Sequence, residues 1–375
     1  EPTIIPAMHI VQILPALDEG GVERGTVELN REFVRRGMTS TVISVGGRLA
    51  EAIGRDGGRH IALDVKSKNP LTAPARAFAL RRVLAQLKPD LVHYRSRVPG
   101  WLFALANRTL RLPFVSTVHG FNSVSPYSRI MTAGQRVICP STAIVAFVRR
   151  HYGTPEEKIR LVYRGIDPQL FDPDKLDAAF TAEFRTKHGL EDRFVVLGVG
   201  RITPLKGYDA LIRATALARA RLPRIKTVIV GGAEAARAGH EQELRRLVDE
   251  LGVGEHVAFA GSQSKIAEIY ACGNVLVSAN KDKPEAFGRS IAEALSMGCP
   301  VIATRFGGAL DIVREGVNGW FVEPGADTAP QLADRLVQAS QTTFTGLRGD
   351  ALARFSLNGM VEQTLAVYRE VLAER

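Results

Sequence analysis

The chain has 375 residues, 45% of them apolar, and a net charge of +10 from 49 Lys+Arg against 39 Asp+Glu. That length exceeds what one hydrophobic core usually organises and predicts two domains. No run of eighteen apolar residues occurs, which excludes a membrane-spanning helix, and three cysteines, Cys139, Cys272 and Cys299, lack the number and spacing of a disulfide framework or metal site. Strand and helix signals alternate along the whole chain, the pattern of parallel sheets with crossover helices. Residues 9–14 read as a strand, 21–36 as a helix stopped by Gly37, and 41–45 as a second strand. A helix over 74–87 ends before Pro89, and residues 91–94 form another strand. Residues 162–176, with Pro168 and Pro173, read as a linker. A second series begins at Phe194, with strands over 226–230, 257–259 and 275–277, and a last helix spans about 357–373.

Two segments of the second series carry chemistry. Residues 194–201 form an apolar strand pattern ending in glycines and Arg201, followed by Lys206-Gly207 and a helix pattern from Tyr208. Strand, Gly-rich turn, helix is where α/β proteins hold phosphate, at strand carboxyl ends and free helix N-termini. Arg201 and Lys206 place two cations there, although a surface turn with two solvated cations gives the same pattern. No GxGxxG with an acid about twenty residues on is present, so a dinucleotide site is poorly supported. Further on, Glu285 and Glu293 lie eight positions apart, one ahead of a helix start and one inside it. Glu293 stands among Ile291, Ala292, Ala294 and Leu295, where an unpaired carboxylate would cost several kcal/mol. A hydroxyl-rich partner such as a sugar or ribose would satisfy it; an ordinary exposed helix Glu is the plainer account.

Together with Gly20-Gly21-Val-Glu23-Arg24, His119-Gly120, Gly298-Cys299-Pro300, Gly307-Gly308 and the run from Val317 to Gly325, these segments resemble the retaining glycosyltransferases of family 4 over essentially the whole chain. The resemblance implies an α/β GT-B fold, two Rossmann-like doubly wound parallel-sheet domains facing across a cleft. The first would span 1–180 and bind the acceptor, with the helix at about 357–375 packing back on it; the second would span 181–356 and bind a nucleotide sugar. It implies that Arg201 and Lys206 neutralise the diphosphate without a metal. Glu285, with the backbone amides of Phe287 and Gly288, would hold the donor sugar, and Glu293 the ribose hydroxyls. Gly20 and Gly21 would let the backbone approach the phosphates, His119 would contact the donor sugar or the acceptor, and Gln263 lies where the base belongs. By spacing alone, His119 is a buried, satisfied histidine. Arg289, four residues after Glu285, either reaches sugar or phosphate or points to solvent. Asp172-Pro-Asp174 is a turn and no metal clamp.

Charge is divided unevenly. Residues 1–180 hold 25 Lys+Arg against 16 Asp+Glu, the remainder 24 against 23, and residues 65–150 contain 14 basic residues and a single acid, Asp90. Such a surplus draws in anions. The basic residues are not interleaved with a stacking surface for nucleic acid, which leaves an anionic membrane surface or an anionic glycan or lipid-linked acceptor. The expected function is hexose transfer from a nucleotide diphosphate sugar, UDP-linked in preference to GDP-mannose, to a lipid-linked, lipopolysaccharide or polysaccharide acceptor. The expected enzyme is cytoplasmic and peripheral on the inner face of the plasma membrane, with no cofactor and no metal expected. A non-catalytic basic membrane or nucleic-acid adaptor, or an epimerase of the same fold, are the alternatives.

Overall fold

The structure, a computed structural model, describes residues 8–18, 20–232 and 238–374. The chain divides into two compact units, Glu1–Gly165 with Leu357–Arg375, and Ile166–Ser356. The first contains a seven-stranded, all-parallel sheet: β1 (His9–Ile13), β2 (Thr39–Ser44), β3 (Arg59–Ala62), β4 (Leu91–Tyr94), β5 (Phe114–Thr117), β6 (Arg136–Cys139) and β7 (Ile159–Leu161), in the order β3-β2-β1-β4-β5-β6-β7. The second contains six parallel strands: β8 (Phe194–Val199), β9 (Ile225–Val230), β10 (Val257–Gly261), β11 (Val275–Ser278), β12 (Val301–Thr304) and β13 (Gly319–Val322), in the order β10-β9-β8-β11-β12-β13. In each unit the order runs outward from the first strand in both directions, the doubly wound arrangement of a Rossmann-like domain. Its ligand crevice lies at the carboxyl ends of the two strands where the order reverses: β1 and β4 in the first unit, β8 and β11 in the second.

Burial on both faces explains the apolar strands, since crossover helices cover each side of a parallel sheet. In the first unit the helix Gly21–Arg35 turns Leu29 and Phe33 onto Ile10, Leu91 and Val115. The helix Leu357–Ala373 returns to this same core, seating Val361, Leu365 and Tyr368 there. Tyr368 packs 5.9 Å from the Phe33 ring centroid. In the second unit Ile212, Ile229, Val275, Ile302, Trp320 and Leu336 form the core.

The stretch 162–176 is not a free linker. Val162 lies in the first core, Ile166 bridges to Ser356, and Phe171 is fully buried, so the border falls at Gly165/Ile166 and residues 166–180 lie with the second unit rather than the first. Asp172 accepts the Asp174 N–H at 3.2 Å and pairs with Lys175 at 3.1 Å, which makes Asp172-Pro-Asp174 a capped turn. No helix among the described residues is long and apolar enough to cross a membrane.

Candidate functional site

In the second unit the loops after β8 and β11 meet at the switch point. Gly200, at φ +144°, ends β8, and a Cβ there would lie 3.0 Å from Lys206 Cε, so the lysine stem crosses over it. Gly207, at φ +64°, caps the helix Tyr208–Ala218, and a Cβ there would sit 1.9 Å from the Ala279 carbonyl. No other residue fits that contact. Lys281 N–H donates to Leu205 O at 2.8 Å, tying the loops together. Across this junction Lys206 Nζ forms an ion pair with Glu285. Burial acts most strongly on Glu285 and works against its ionisation. The Lys206 charge and hydrogen bond, joined by a bond from Asn280, overcome it and hold the carboxyl below its ordinary range. Tyr208, beneath the pair, donates to Gly200 O at 2.9 Å; burial and then the Glu285 charge push its phenol up.

The segment carrying Glu285 is shaped by glycines from the next loop. Gly308 N–H donates to Glu285 O at 2.9 Å, and a Cβ on Gly308 would lie 2.3 Å from the Phe287 backbone. Gly307-Gly308 thus lets the loop after β12 press against residues 284–287. Gly288, at φ +100°, starts the helix Arg289–Ser296 with no side-chain cap. A small solvent-open recess beside it is lined by Ser278, Asn280, Glu285, Gly288, Thr304 and Phe306, among others. Asn280 is buried and its Oδ1 has no hydrogen-bond partner, a vacancy that a hydroxyl donor would fill. Sequence reasoning missed Asn280; its place just past β11, at the carboxyl edge, was the available signal.

Glu293 already has partners in its own unit. It is 4% exposed, accepts the Arg289 Nε–H at 2.8 Å and the Tyr270 hydroxyl at 3.1 Å, and so is satisfied within its own unit. Arg289 does not point to solvent but pairs with Glu293 one turn along its helix. Arg201 is exposed at the end of β8. Gln263, past β10 and two strands from the switch point, donates to Ala260 O at 2.6 Å. Lys206, Glu285, Phe287 and Gly288 are therefore brought together, whereas Gly20, Gly21 and His119 belong to the first unit.

The switch point of the first unit is built differently. Gly20, at φ +154°, precedes the helix Gly21–Arg35, whose start has no side-chain cap. A Cβ on Gly20 would meet the Glu23 carboxylate at 2.5 Å, while one on Gly21 would meet nothing within 4 Å, which leaves open space above that helix end. Just past β4 lies Arg95, 3% exposed. It donates to Gln12 Oε1 at 2.7 Å, and at 3.4 Å to both His93 Nδ1 and His119 Nε2, but its Nε–H has no partner and no described carboxylate pairs with it. Burial pushes this guanidinium down to about 10, outweighing the nearby Tyr368 phenol.

Because an arginine can only donate, His93 Nδ1 and His119 Nε2 must both be unprotonated acceptors. The Tyr368 hydroxyl then donates to His93 Nδ1 at 2.7 Å, and His93 Nε2–H donates to Thr117 Oγ1 at 2.7 Å. Burial first, and then the positive charges of Arg95 and Arg164, hold both histidines well below the usual imidazole range. His119 is half-buried, just beyond the end of β5. Arg164 donates to Gly21 O beside it all. Nothing in the sequence around Arg95 distinguished it, since besides His93 of its own strand its partners come from β1 and from beyond the end of β5.

Residues 19–170 match the family described as Glycosyltransferase Family 4, and residues 180–343 that described as Glycosyl transferases group 1. A D-inositol 3-phosphate glycosyltransferase of Acidothermus cellulolyticus is 30% identical over 344 residues, covering 83% of this chain and 74% of its own. The crystal structure of a glycosyltransferase from Rickettsia africae superposes with a TM-score of 0.85 at 28% identity, over 99% of this chain and 100% of that one. HepE of Anabaena, solved in complex with UDP-glucose, shares the fold at a TM-score of 0.82 and 23% identity, over 98% and 100% of the two chains.

Proposed function

The chain belongs to the family 4 glycosyltransferases of group 1, with the GT-B fold, and on that premise we propose that it transfers a hexose, with retention, from a UDP-sugar to a phosphate-bearing acceptor. The observation that carries the reading is the Lys206–Glu285 pair held across the loops after β8 and β11. A diphosphate entering there would take over the Lys206 ammonium, with Arg201 as a second cation. Charge building on the leaving phosphate as the glycosidic bond breaks would be met by fixed positive groups, an effect worth about 3–4 kcal/mol per well-placed group. No metal is called on in this scheme.

Glu285, released from Lys206, would accept hydroxyls of the donor sugar, and Asn280 Oδ1 would accept one more. Glu293, fixed by Arg289 and Tyr270, keeps lone pairs for the ribose hydroxyls. The helix start at Gly21, where no Cβ intervenes, would take the phosphates, and Gln263 the base. On the acceptor side, Arg95 offers a cation without a carboxylate partner, and neutral His119 beside it, its Nε2 engaged by Arg95, offers its Nδ1–H as a donor. HepE was solved with UDP-glucose and the Acidothermus relative is named for an inositol phosphate; both agree with a UDP donor and an anionic acceptor. The surplus of cations in the first unit extends this to phosphorylated lipid-linked acceptors.

The test is transfer from UDP-glucose, UDP-galactose, UDP-N-acetylglucosamine and GDP-mannose to inositol phosphate and to lipid-linked phosphosugars, in EDTA, with product configuration read by NMR. An α-linked product from an α-linked donor is expected. Inversion, or activity only after Mg²⁺ or Mn²⁺ is added, would overturn the corresponding part of the proposal.

A further inference from the structure

The outer surface of the first unit mixes exposed apolar side chains with unpaired cations. The helices Ala73–Leu87 and Arg97–Leu110 pack side by side, joined by Arg81 Nη1 donating to Thr109 Oγ1 at 3.5 Å. Each turns one apolar face inward, through Leu80 and Leu84 on the former and Leu102 and Phe103 on the latter. The core therefore has no use for a second apolar face, yet one exists. Trp101, Leu105 and Arg108 recur at helical spacing along an exposed stripe. On the neighbouring helix Phe78 is 54% exposed, and Leu71, just ahead of that helix, is 89% exposed. Trp101 stacks on exposed Tyr127, with centroids 6.3 Å apart and planes at 16°, and donates its indole N–H to Tyr127 O at 2.9 Å. Exposed Val124 lies three residues before it.

Cations are threaded through this surface. Arg81 lies over the Phe78 ring at 5.3 Å and Arg97 over Tyr127 at 5.6 Å. Among the described residues Arg81, Arg82, Arg97, Arg108 and Arg129 form no ion pair, and residues 65–150 contain one acid in all. Exposed aromatic and aliphatic side chains fringed by long basic ones are the chemistry of a bilayer interface, where rings enter the acyl boundary and guanidinium groups reach headgroup phosphates. A second copy of this chain is a poor fit, because a symmetric contact would set the same cations against one another. Nucleic acid would use the cations and rings but leave Leu71, Leu105 and Val124 in water.

We infer that this face docks the enzyme on an anionic bilayer, with Leu71, Phe78, Trp101 and Leu105 inserted and the arginines on the lipid phosphates. The inference extends the proposed function to a membrane-borne acceptor but stands on the first unit's surface alone. Trp101 and Trp320 are the only tryptophans, and Trp320 is buried in the second unit, so Trp320→Phe makes Trp101 the sole reporter. With the full chain at low salt, phosphatidylglycerol-rich vesicles are expected to shift Trp101 emission to the blue and to co-sediment the protein, whereas pure phosphatidylcholine vesicles do neither. Phe78→Ser with Leu105→Ser should weaken vesicle binding by about tenfold or more, and Arg82→Glu with Arg108→Glu should do the same by reversing the charge. Both variants should keep wild-type transfer to a water-soluble acceptor. That readout separates failure of the docking surface from failure of the proposed reaction. No blue shift with anionic vesicles, binding untouched by either variant, or a dimer in sedimentation that Phe78→Ser with Leu105→Ser dissolves would each overturn the inference.

Discussion

The two units share one strand order and use their switch points in opposite ways. In the second, opposite charges meet: Lys206 with Glu285, Arg289 with Glu293, Lys281 with Asp209. In the first, Arg95 is buried among Gln12, His93 and His119 with no carboxylate beside it. Paired charges present an incoming donor with a cation for phosphate and a carboxylate for hydroxyls together, whereas an unpaired buried cation leaves a standing demand for an anion. The same scaffold thus offers one crevice suited to a ligand that brings both phosphate and hydroxyls, and another suited to a ligand that brings negative charge.

The largest expected effect tests the pairing in the second unit. Arg289→Met leaves Glu293 buried with only Tyr270, and should destabilise the chain by about 3–5 kcal/mol, read by denaturant unfolding; Arg95→Met, which strips a buried charge that has no counter-ion, should cost far less. Equal losses would erase the contrast. Next, Lys206→Ala should lower kcat by about 10²–10³-fold with far-UV circular dichroism unchanged; wild-type turnover would remove the pair from the donor site. Arg95→Gln should raise the acceptor KM by about tenfold while leaving the donor KM as it was, and a change in the donor KM instead would reverse the division of labour.

A smaller effect concerns pH. The folded-state values of His93 and His119 are depressed, so the unfolded chain binds more protons below about 6.5 and stability falls as pH drops from there. Glu285, depressed below the carboxylate range, loses its contribution only at pH values below about 4.5. Hydrogen-exchange protection factors, which remove the intrinsic pH dependence of exchange, should therefore fall in β4 and β5 between pH 7.5 and 5.5 before they fall in β8 and β11. The smallest effect is Gly21→Ala: the added methyl meets nothing in the structure, so stability should hold while the donor KM rises. An unchanged KM would detach Gly21 from the phosphates.

Much of this was legible in the sequence. Apolar runs such as Leu91-Val-His-Tyr94 are strands because both faces of a parallel sheet are covered, and the helix from Leu357 follows from its spaced apolar residues. Lys206 was readable as a site residue because it follows a strand at a Gly-rich turn, and Glu285 because it lies just ahead of a helix start, eight positions before Glu293. The Arg289 pairing was not. Arg289 is four residues from both glutamates, and only the helix start at Gly288 decides between them: Glu293 lies one turn on, whereas Glu285 lies outside the helix. Arg95 was hidden for a different reason. Its neighbours, Gln12 of β1, His93 of β4 and His119 after β5, converge only through the strand order and register of the sheet. Asn280 likewise reads as an ordinary loop residue until its buried Oδ1 is found without a donor.

The central claim is that the donor nucleotide is held by the Lys206 crevice and the acceptor anion by Arg95. Titration calorimetry of UDP into the wild-type chain, Lys206→Ala and Arg95→Gln tests it most directly. UDP affinity is expected to fall by about tenfold or more in Lys206→Ala and to match wild type in Arg95→Gln. Undiminished binding in Lys206→Ala, or a loss confined to Arg95→Gln, would contradict it.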